Sequence, residues 1–315
     1  MVAQSLLNRG YKVVVVTEQF DSRLPLTEVA DNVIIHRIPI AKKEKLKKFW
    51  IWSWVIMNRD VFFKARVIHV HDVFFWLLPL RPFLSKRNIF TTFHGYEDYP
   101  IKRRWIIMRK IIEKLSYGTI CIGDFMKKWY KSSPSYVSYG AVEMAKANVD
   151  YTDSSAIFFG RLEQQTGILE YISAYKIIKK KHPRFKLTVI GDGPLREMLP
   201  KGVIHMGFEA NIEKFIAPHR FIFVSRYLSM FEAIIQKKEV VAVFSDPVKK
   251  DYLEMSPFKD YVFITKSPAE IAKYVDMSLK EGQNRKLIED AYVWARQNTW
   301  RKLVNTYLNL WGIAK

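Results

Sequence analysis

Short runs of β-branched and aromatic residues recur along the chain, and longer polar or amphipathic segments separate them. Apolar runs of this length, bounded by turn residues, predict β-strands. A first series of predicted strands covers residues 12–18, 32–38, 67–72, 88–94, 118–123 and 135–139. A second series covers residues 156–160, 186–191, 203–207, 221–225, 240–244 and 261–265. Amphipathic helices are predicted between many of these strands, for example over residues 168–182 and 267–281.

The continuous apolar character of these strands, with helices between them, favours parallel sheets that are covered on both faces. Two such series in succession predict an α/β protein with two doubly wound, Rossmann-like domains. We place the first domain at residues 1–145 and the second at residues 146–295, with a polar linker over 140–155. Spaced Trp and Leu residues predict a C-terminal helix within 296–315 that packs back on the first domain.

The charge of the chain is unusual for an otherwise ordinary globular composition. Lys and Arg number 51 and Asp and Glu number 31, which gives a formal net charge of +20. Residues 1–150 contain 25 basic and 13 acidic residues, and residues 151–315 contain 26 and 18. Such a field attracts anionic partners: phosphorylated small molecules, acidic lipid or nucleic acid. Because no DNA- or RNA-binding motif accompanies the charge, we expect no specific nucleic-acid partner.

The numbers and spacing of cysteine and histidine bear on disulfides, metal sites and the cellular compartment. The single cysteine, Cys121, cannot form an internal disulfide, and nothing suggests an oxidising compartment. No pair of Cys or His has zinc-ligand spacing, so we expect no metal site. The chain opens with a polar, helix-like stretch rather than a secretory leader, which predicts a cytoplasmic protein.

Two loops after predicted strands contain candidate ligand-binding residues, because doubly wound sheets bind ligands where strands end and helices begin. Gly160 and Arg161 end the first strand of the second series, and the guanidinium could bind a phosphate in bidentate fashion. A surface arginine in a tight turn is the alternative. Gly191 and Gly193 follow the next strand, where glycine lets the backbone approach a ligand or a neighbouring strand; a turn that needs glycine is the alternative.

Residues 224–234 supply a second candidate group after another predicted strand. Tyr227, Leu228 and Ser229 come first, and Glu232 lies in the first turns of the following helix. A carboxylate there can accept two hydroxyl hydrogen bonds from a ribose or hexose. Backbone N–H groups near Ser229 could bind a diphosphate. In the alternative, Glu232 only complements the positive end of the helix.

Histidines form a third candidate group, in the first half of the chain. His94 comes at the end of a predicted strand, where a catalytic or acceptor-binding group is expected; a structural or solvated histidine is the alternative. His69 and His71 alternate along the preceding strand and therefore lie on one face. Asp72 ends that strand and could pair with His71, although a metal site would need more ligands.

Residues 41–57 combine five lysines with an aromatic, apolar run. Lysines beside tryptophans are typical of an interfacial helix, in which the amines contact lipid headgroups and the indoles lie at the boundary. The run is too short to cross the bilayer, since a helix needs about 20 residues for that. A buried helix with a lysine-rich entry is the alternative. The candidate membrane- or acceptor-facing residues are Lys47, Lys48, Trp50, Trp52, Arg103 and Arg104.

In their order and spacing, these segments resemble retaining glycosyltransferases of the GT-B fold and the family-4 type. Residues 158–175, FFGRLEQQTGILEYISAY, are similar to the family's Gly-Arg-Leu-x-x-x-Lys-Gly segment. Residues 187–199, LTVIGDGPLREML, are similar to its Gly-x-Gly-Pro segment, and VIHMGF at 203–208 resembles the strand that meets the nucleotide base. Residues 223–244 resemble the donor-binding strand and glutamate helix, and FTTFHGYED at 90–98 occupies the place of the acceptor-domain histidine loop.

The resemblance implies two Rossmann-like domains facing a cleft that holds a nucleotide-diphosphate sugar, with no metal and no cofactor. Arg161 would neutralise the departing diphosphate, Glu232 would hold ribose or sugar hydroxyls, and His94 would orient the acceptor or donor sugar. The other donor-binding residues that the resemblance implies are Gly160, Thr166, Gly191, Gly193, Gly207, Phe208, Tyr227, Leu228 and Ser229.

The chain departs from the family's pattern at three places. Thr166 stands where lysine is usual, which removes one cation unless Lys237, Lys238 or another lysine replaces it. Val224 stands eight positions before Glu232, where the family has the first of two glutamates. The chain also begins inside a helix-like segment, so the first domain is expected to lack the family's first strand.

We therefore expect a retaining, metal-independent enzyme of the hexosyltransferase type that transfers a sugar from a nucleotide-diphosphate sugar to a glycan or lipid-linked acceptor. The basic first half places it peripherally on an anionic inner membrane face, in cell-envelope glycan biosynthesis. The departures favour a second hypothesis, a non-catalytic or weakened relative that binds nucleotide sugar or glycan. A nucleic-acid binder rests on charge alone, and no segment points to the lysine-bound pyridoxal phosphate of a phosphorylase with the same architecture.

Overall fold

The computed structural model describes residues 1–39, 44–97, 99–144 and 152–314. The chain folds into two compact units. The first comprises Met1–Ile122, Met126–Ser138 and Trp300–Lys315, and the second comprises Gly123–Phe125 and Tyr139–Thr299. The C-terminal segment therefore belongs to the first unit.

Helices and strands alternate through both units. Among the described residues, the α-helices are α1 Val2–Leu7, α2 Lys47–Met57, α3 Arg59–Phe63, α4 Arg103–Leu115, α5 Phe125–Tyr130, α6 Ile168–Lys181, α7 Glu213–Ile216, α8 Tyr227–Ile235, α9 Pro247–Glu254, α10 Pro268–Glu281, α11 Arg285–Ala295 and α12 Trp300–Leu310. The strands are β1 Val14–Glu18, β2 Thr27–Ala30, β3 Val33–Ile38, β4 Ile68–His71, β5 Ile89–Phe93, β6 Gly118–Ile122, β7 Tyr136–Ser138, β8 Thr152–Phe159, β9 Lys186–Ile190, β10 Ile204–His205, β11 His219–Phe223, β12 Glu239–Val243 and β13 Phe263–Thr265.

The strands of the first unit form two sheets. One has the order β1-β3-β2, in which β1 is parallel and β2 antiparallel to β3. The other has the order β4-β5-β6-β7 and is parallel throughout. In the part of the chain that the structure describes, α1 comes before β1 and no strand precedes it.

Helix α12 packs on α1 inside the first unit. Leu6 of α1 and Val304 and Leu308 of α12 form a small apolar cluster. Two hydrogen bonds fix the same contact: Arg9 donates to Asn305 Oδ1 over 2.6 Å, and the Tyr11 hydroxyl donates to the Ile313 carbonyl over 2.6 Å. The two ends of the chain are thus held together by both apolar and polar contacts.

The second unit contains one parallel sheet of six strands in the order β10-β9-β8-β11-β12-β13. The central strands β9, β11 and β12 are buried along almost their whole length and are mainly apolar after their first residues, because both of their faces are covered. Helix α6 presents Ile168, Tyr171, Ile172 and Tyr175 at helical spacing, and all four side chains are buried against the sheet. Its lysine-rich last turn suits the negative end of the helix.

Helix starts in the second unit follow local sequence rules. The side chain of Asp246 accepts a hydrogen bond from the Lys249 N–H at the start of α9, and Ser267 does the same for Glu270 at the start of α10. Each cap is followed by a proline, whose missing N–H is unneeded at the first helical position. These signals set the point where each loop ends and its helix begins.

All twelve strands predicted from the apolar runs are confirmed, with ends that shift by a few residues. Strand β2 was not predicted, since its four residues, TEVA, are only partly buried at the edge of a sheet. The linker predicted over 140–155 is wrong at its end, because residues 152–155 belong to β8; residues 145–151 lie outside the described residues. Among the described helices, none has both the length and the apolar character that a bilayer span requires.

Candidate functional site

The sheet of the second unit reverses its strand order between β8 and β11. From β8 the chain builds outward through β9 and β10 on one side, and then through β11, β12 and β13 on the other. In open parallel sheets, ligands bind at the carboxyl ends of the strands beside such a switch point, because the loops diverge there and leave a crevice. The residues just after β8 and β11 are therefore the first candidates for a ligand site.

Arg161 lies directly after β8, at this edge. Its side chain is 63% exposed, and its guanidinium forms an ion pair with Glu163 over 3.2 Å. An exposed ion pair of this kind is weak, so the guanidinium can turn to a stronger anionic partner at small cost. The position agrees with the phosphate-binding role that the sequence predicts for Arg161, and that role stays a prediction.

The glycines after β8 and β9 let the two loops touch. Gly191 has a φ of +127°, and a Cβ on it would lie 1.9 Å from the carbonyl oxygen of Gly160. A Cβ on Gly193 would lie 2.6 Å from the Leu162 carbonyl oxygen. The Leu162 N–H also donates to the Asp192 carbonyl over 2.9 Å. Close approach to the loop after β8 therefore accounts for both glycines without a ligand, and it fixes the backbone on either side of Arg161.

Thr166 supports the same loop from within. Its side chain is buried, and its hydroxyl lies 2.9 Å from the carbonyl oxygen of Arg161 and 2.7 Å from that of Glu163. Lys237 forms an ion pair with Glu289 over 2.6 Å, and the buried Lys238 donates to the Ala217 carbonyl over 2.5 Å. Both lysines are thus engaged elsewhere in the fold and are poor substitutes for the cation that Thr166 replaces.

Glu232 lies in the second turn of α8 and carries the one strongly perturbed carboxyl of this region. Burial, with a smaller contribution from the negative charge of Glu213 on α7, raises the pKa of Glu232 to about 7. In the described part of the chain, no side chain or backbone N–H forms a hydrogen bond or ion pair with this carboxylate. A carboxylate held near a like charge, without a donor, is suited to accept hydroxyl hydrogen bonds from a ligand.

The three residues that open α8 differ in their surroundings. Tyr227 is only 3% exposed, and its ring stacks on that of Tyr252 with 3.9 Å between centroids and 7° between planes. Its N–H donates to the Tyr252 hydroxyl over 2.9 Å. Leu228 is exposed and Ser229 is partly exposed. The side chain of Tyr227 thus belongs to the core, whereas Leu228 and Ser229 can reach a ligand; their donor contacts stay predictions.

The loop after β10 exposes an aromatic ring. Phe208 is 83% exposed, and the preceding Gly207 adopts a φ of +69° with open space around the place of a Cβ. The carbonyl of Gly207 accepts a hydrogen bond from the Gly191 N–H over 2.6 Å, which links this loop to the loop after β9. An exposed ring on a fixed loop is suited to stack on a nucleotide base.

Sequence reasoning missed two cations at this edge. Arg226 occupies the N-cap position of α8 without a side-chain capping bond and is exposed, and it comes shortly after β11 as Arg161 comes shortly after β8. Lys249 is buried, donates to the Ser225 carbonyl and lies 4.1 Å from the Tyr252 ring centre. Burial, with a smaller contribution from the charge of Arg226, lowers the pKa of Lys249 to about 7. The rule that selected Arg161, an arginine just after a buried strand, would also have selected Arg226.

Three of the histidines of the first unit, His69, His71 and His94, lie in a row towards the carboxyl ends of β4 and β5. His71 Nδ1 lies 2.7 Å from His94 Nε2, and the His69 and His71 rings lie 4.5 Å apart. Loss of hydration lowers the pKa of His71 to about 4. It also lowers the pKa of His94, although the negative charge of Asp72 opposes this shift. His94 is therefore neutral at physiological pH and can both donate and accept a hydrogen bond.

The loop that carries His94 is fixed at several points. The His94 N–H donates to Asp72 Oδ1 over 3.0 Å, while the proposed His71–Asp72 pair is replaced by the contact between His71 and His94. Arg109 of α4 donates to the Gly95 carbonyl over 2.5 Å and lies over the Tyr130 ring at 3.6 Å. A rigid loop holds a neutral imidazole in place, which is what orientation of a sugar hydroxyl requires.

The candidate membrane-facing residues divide into exposed and anchored ones. Lys48 and Trp50 of α2 are exposed, as is Phe49 at 68%. Lys47 instead pairs with Glu18 over 2.9 Å, and the Trp52 indole N–H donates to the Phe75 carbonyl over 2.8 Å. On α4, the exposed residues comprise three basic and three apolar side chains: Arg103, Arg104, Lys114, Ile107, Met108 and Ile111.

We compared the sequence and the fold with those of known proteins. Residues 1–136 match the sequence family described as Glycosyltransferase Family 4. A comparison with curated proteins gives no match. Within the described residues, no group of three or more His, Cys, Asp or Glu could hold a metal ion.

Several solved structures share the fold over nearly the whole chain. A glycosyltransferase from Rickettsia africae ESF-5 is 15% identical, with a TM-score of 0.70 over 98% of this chain and 92% of that one. Anabaena Alr3699/HepE, solved with UDP and glucose, is 11% identical, with a TM-score of 0.68 over 95% and 98%. The pneumococcal O-GlcNAc transferase GtfA, solved with UDP and GlcNAc, is 10% identical, with a TM-score of 0.63 over 89% and 60%.

At identities this low, the structural similarity establishes the fold alone. The family match is a separate finding from the sequence and covers residues 1–136. The resemblance seen in the sequence motifs is thereby confirmed. The chain has the GT-B glycosyltransferase fold with two Rossmann-like domains, and its residues 1–136 match Glycosyltransferase Family 4.

Proposed function

We propose that this protein is a glycosyltransferase that transfers a sugar from a nucleotide-diphosphate sugar to a glycan or lipid-linked acceptor, with retention and without a metal. One observation carries the proposal: Arg161 and the unpaired carboxylate of Glu232 belong to the elements on either side of the β8–β11 switch point. A cation and a hydroxyl acceptor at such a point match the diphosphate and the ribose of a nucleotide.

The chemistry of the donor follows from these residues. Negative charge grows on the diphosphate as the glycosidic bond breaks, so a guanidinium that meets it there stabilises the transition state more than the ground state. Glu232 holds hydroxyls of ribose or sugar, and Phe208 stacks on the base. His94, on the first unit, holds a hydroxyl of the acceptor or donor sugar through its neutral imidazole.

Nucleotide binding is the first expected result. The nucleotides to be tested are UDP, GDP, ADP and dTDP. A nucleotide that binds only the folded state stabilises the protein by about 2.7 kcal/mol when it is present at 100 times its dissociation constant. We expect at least one diphosphate to raise the melting temperature, and the corresponding nucleotide sugars to release that diphosphate in the presence of membrane or glycan extracts. Thermal-shift and diphosphate-release assays measure the two steps.

The matching nucleosides serve as controls, since they lack the group that Arg161 meets and should shift the melting temperature far less. If no nucleoside diphosphate changes the melting temperature and no nucleotide sugar is consumed, the proposed function is wrong.

A second candidate function is a non-catalytic relative that binds nucleotide sugar or glycan. The buried Thr166 favours it, because its hydroxyl is bonded within the loop and supplies no charge to a leaving group. Val224 favours it too, since this buried valine occupies the place of a donor-binding glutamate. Tight diphosphate binding without turnover of any nucleotide sugar would establish this candidate and exclude the enzyme.

We further propose that the first unit binds an anionic membrane surface through the exposed residues of α2 and α4. Exposed aromatic and aliphatic side chains alternate there with basic ones, which suits the boundary between headgroups and acyl chains. The excess of basic over acidic residues within 1–150 adds long-range attraction to such a surface.

The double variant Phe49→Ser/Trp50→Ser is expected to weaken co-sedimentation with phosphatidylglycerol-containing vesicles by about tenfold or more, because it removes two exposed aromatic anchors. Phe20→Ser/Phe83→Ser is the matched control, since both phenylalanines are exposed but lie outside α2 and α4. Equal vesicle binding by the two double variants, or equal binding of the wild type to neutral vesicles, would contradict the membrane proposal.

A further inference from the structure

The proposed donor site lacks one cation where the resemblance leads one to expect it. Thr166 is neutral and buried, and Lys237 and Lys238 are held by Glu289 and by the Ala217 carbonyl. A diphosphate that leaves with about two to three negative charges is poorly balanced by a single guanidinium. Another cation at the same edge of the sheet is therefore required if the site handles a diphosphate.

The register of the sheet brings a second arginine to this edge. Strands β8 and β11 are neighbours and parallel, with Phe158 paired to Phe223. Arg161 and Arg226 each follow their member of this pair by three residues. Because neighbouring strands lie about 4.8 Å apart, the two arginines leave the sheet at the same height and on adjacent strands, on either side of the switch point.

The surroundings of Arg226 leave its charge uncompensated. The side chain is exposed, and among the described residues no carboxylate forms an ion pair with it. Its nearest titratable neighbours include Lys249, itself a cation, whose Nζ donates to the Ser225 carbonyl. The positive charge of Arg226 disfavours the protonated form of Lys249, and an anion bound beside Arg226 would relieve this repulsion.

From this geometry we infer that Arg226 is the second diphosphate-binding cation of the donor site and takes the place of the lysine that Thr166 replaces. The inference rests on the proposed function and names a binding residue for it. Arg161 contacts the diphosphate from the β8 side and Arg226 from the β11 side, next to the backbone N–H groups of Leu228 and Ser229 in the first turn of α8. Planar guanidinium groups from two strands can each bind phosphate oxygens in bidentate fashion.

Calorimetric titration of the intact protein with UDP, inorganic pyrophosphate and uridine tests the inference. Arg226→Gln is expected to weaken binding of UDP and of pyrophosphate by about tenfold, because one charge-assisted contact to phosphate is lost. Binding of uridine is expected to stay the same. The melting temperature should also stay the same, since the side chain is exposed and has no ion-pair partner in the described part of the chain.

Arg184→Gln is the matched control. Arg184 is an exposed arginine of the same unit, but it lies two residues before β9, at the opposite edge of the sheet. The control removes the same charge and should change UDP affinity by less than twofold, which separates a local contact from the general positive field. Arg226→Lys should recover part of the lost affinity, since it restores the charge without the planar fork.

The outcomes distinguish a failure of the inference about Arg226 from a failure of the proposed function. If wild type binds UDP and Arg226→Gln binds it equally well, the inference about Arg226 is overturned while the proposed function stands. If Arg184→Gln weakens UDP binding as much as Arg226→Gln does, the field and not the position of Arg226 is responsible, and the inference again fails. If wild type binds neither a nucleoside diphosphate nor pyrophosphate, the proposed function fails and the inference falls with it.

Discussion

Arg161→Ala is expected to lower sugar transfer by about 100- to 1,000-fold, the range seen when one donor to a developing anion is removed from an active site. In the proposed donor site the guanidinium of Arg161 is the group that meets the diphosphate after β8, and no lysine follows it in the loop. Stability should barely change, because the side chain is 63% exposed and its one ion pair, to Glu163, is weak. Diphosphate release from the nucleotide sugar measures the effect.

Arg161→Lys and Arg184→Ala complete this experiment. Lysine keeps the charge but loses the bidentate geometry, so we expect it to recover only part of the rate. Arg184→Ala removes an arginine at the far edge of the sheet and should leave the rate unchanged. Transfer at the wild-type rate by Arg161→Ala would show that this guanidinium does not stabilise the leaving group.

Glu232→Gln is expected to weaken nucleotide binding by about 10- to 100-fold and, at the same time, to stabilise the folded protein. Binding weakens because an amide is a poorer acceptor for ribose hydroxyls than a carboxylate. Stability rises because the wild-type carboxyl ionises at a partly buried position near the charge of Glu213, with no donor among the described residues. A residue that costs stability and supports binding is the mark of a functional site.

The stabilisation should depend on pH in a defined way. The pKa of Glu232 is raised from 4.5 to about 7 in the folded state, so the folded protein binds the proton more tightly than the unfolded chain does. Its contribution to stability is therefore full below pH 4.5 and is lost as pH rises to 7. Glu232→Gln should match wild type near pH 4 and exceed it at pH 8 by up to about 3 kcal/mol.

Melting curves from pH 4 to 8 and UDP titrations at pH 8 measure the two effects of Glu232→Gln. Glu213→Gln is the control, because it removes a nearby exposed carboxylate and should leave UDP affinity within threefold of wild type. A Glu232→Gln variant that loses stability at pH 8 would assign this carboxylate to the scaffold and remove it from the donor site.

The apolar runs were enough to find the strands of both units, because a parallel strand that is covered on both faces must be apolar along its length. Strand β2 escaped because an exposed edge strand has no such requirement. The starts of the helices at Pro247 and Pro268 also depend on local sequence, because a capping residue directly precedes each proline. The end of the predicted linker failed because the polar residues of 152–155 pair as a strand, which local composition does not reveal.

The candidate site was only partly predictable, for a related reason. Arg161 could be selected from the sequence alone because it comes shortly after an apolar run. The importance of Arg226 depends on the parallel pairing of β11 with β8, and that pairing joins residues more than sixty positions apart. Lys237 and Lys238 looked available in the sequence, and only packing showed that both are engaged within the fold.

The sequence by itself determined the secondary structure, the two-domain α/β class and the positions of residues such as Arg161, Glu232 and His94 at strand ends and on the helix that follows, because these depend on local apolar periodicity and on short-range capping. The tertiary structure decided the strand order and hence the switch point between β8 and β11. It also decided which charges remain unpaired, because burial and pairing depend on residues that are distant in the chain and become neighbours only when the sheet forms.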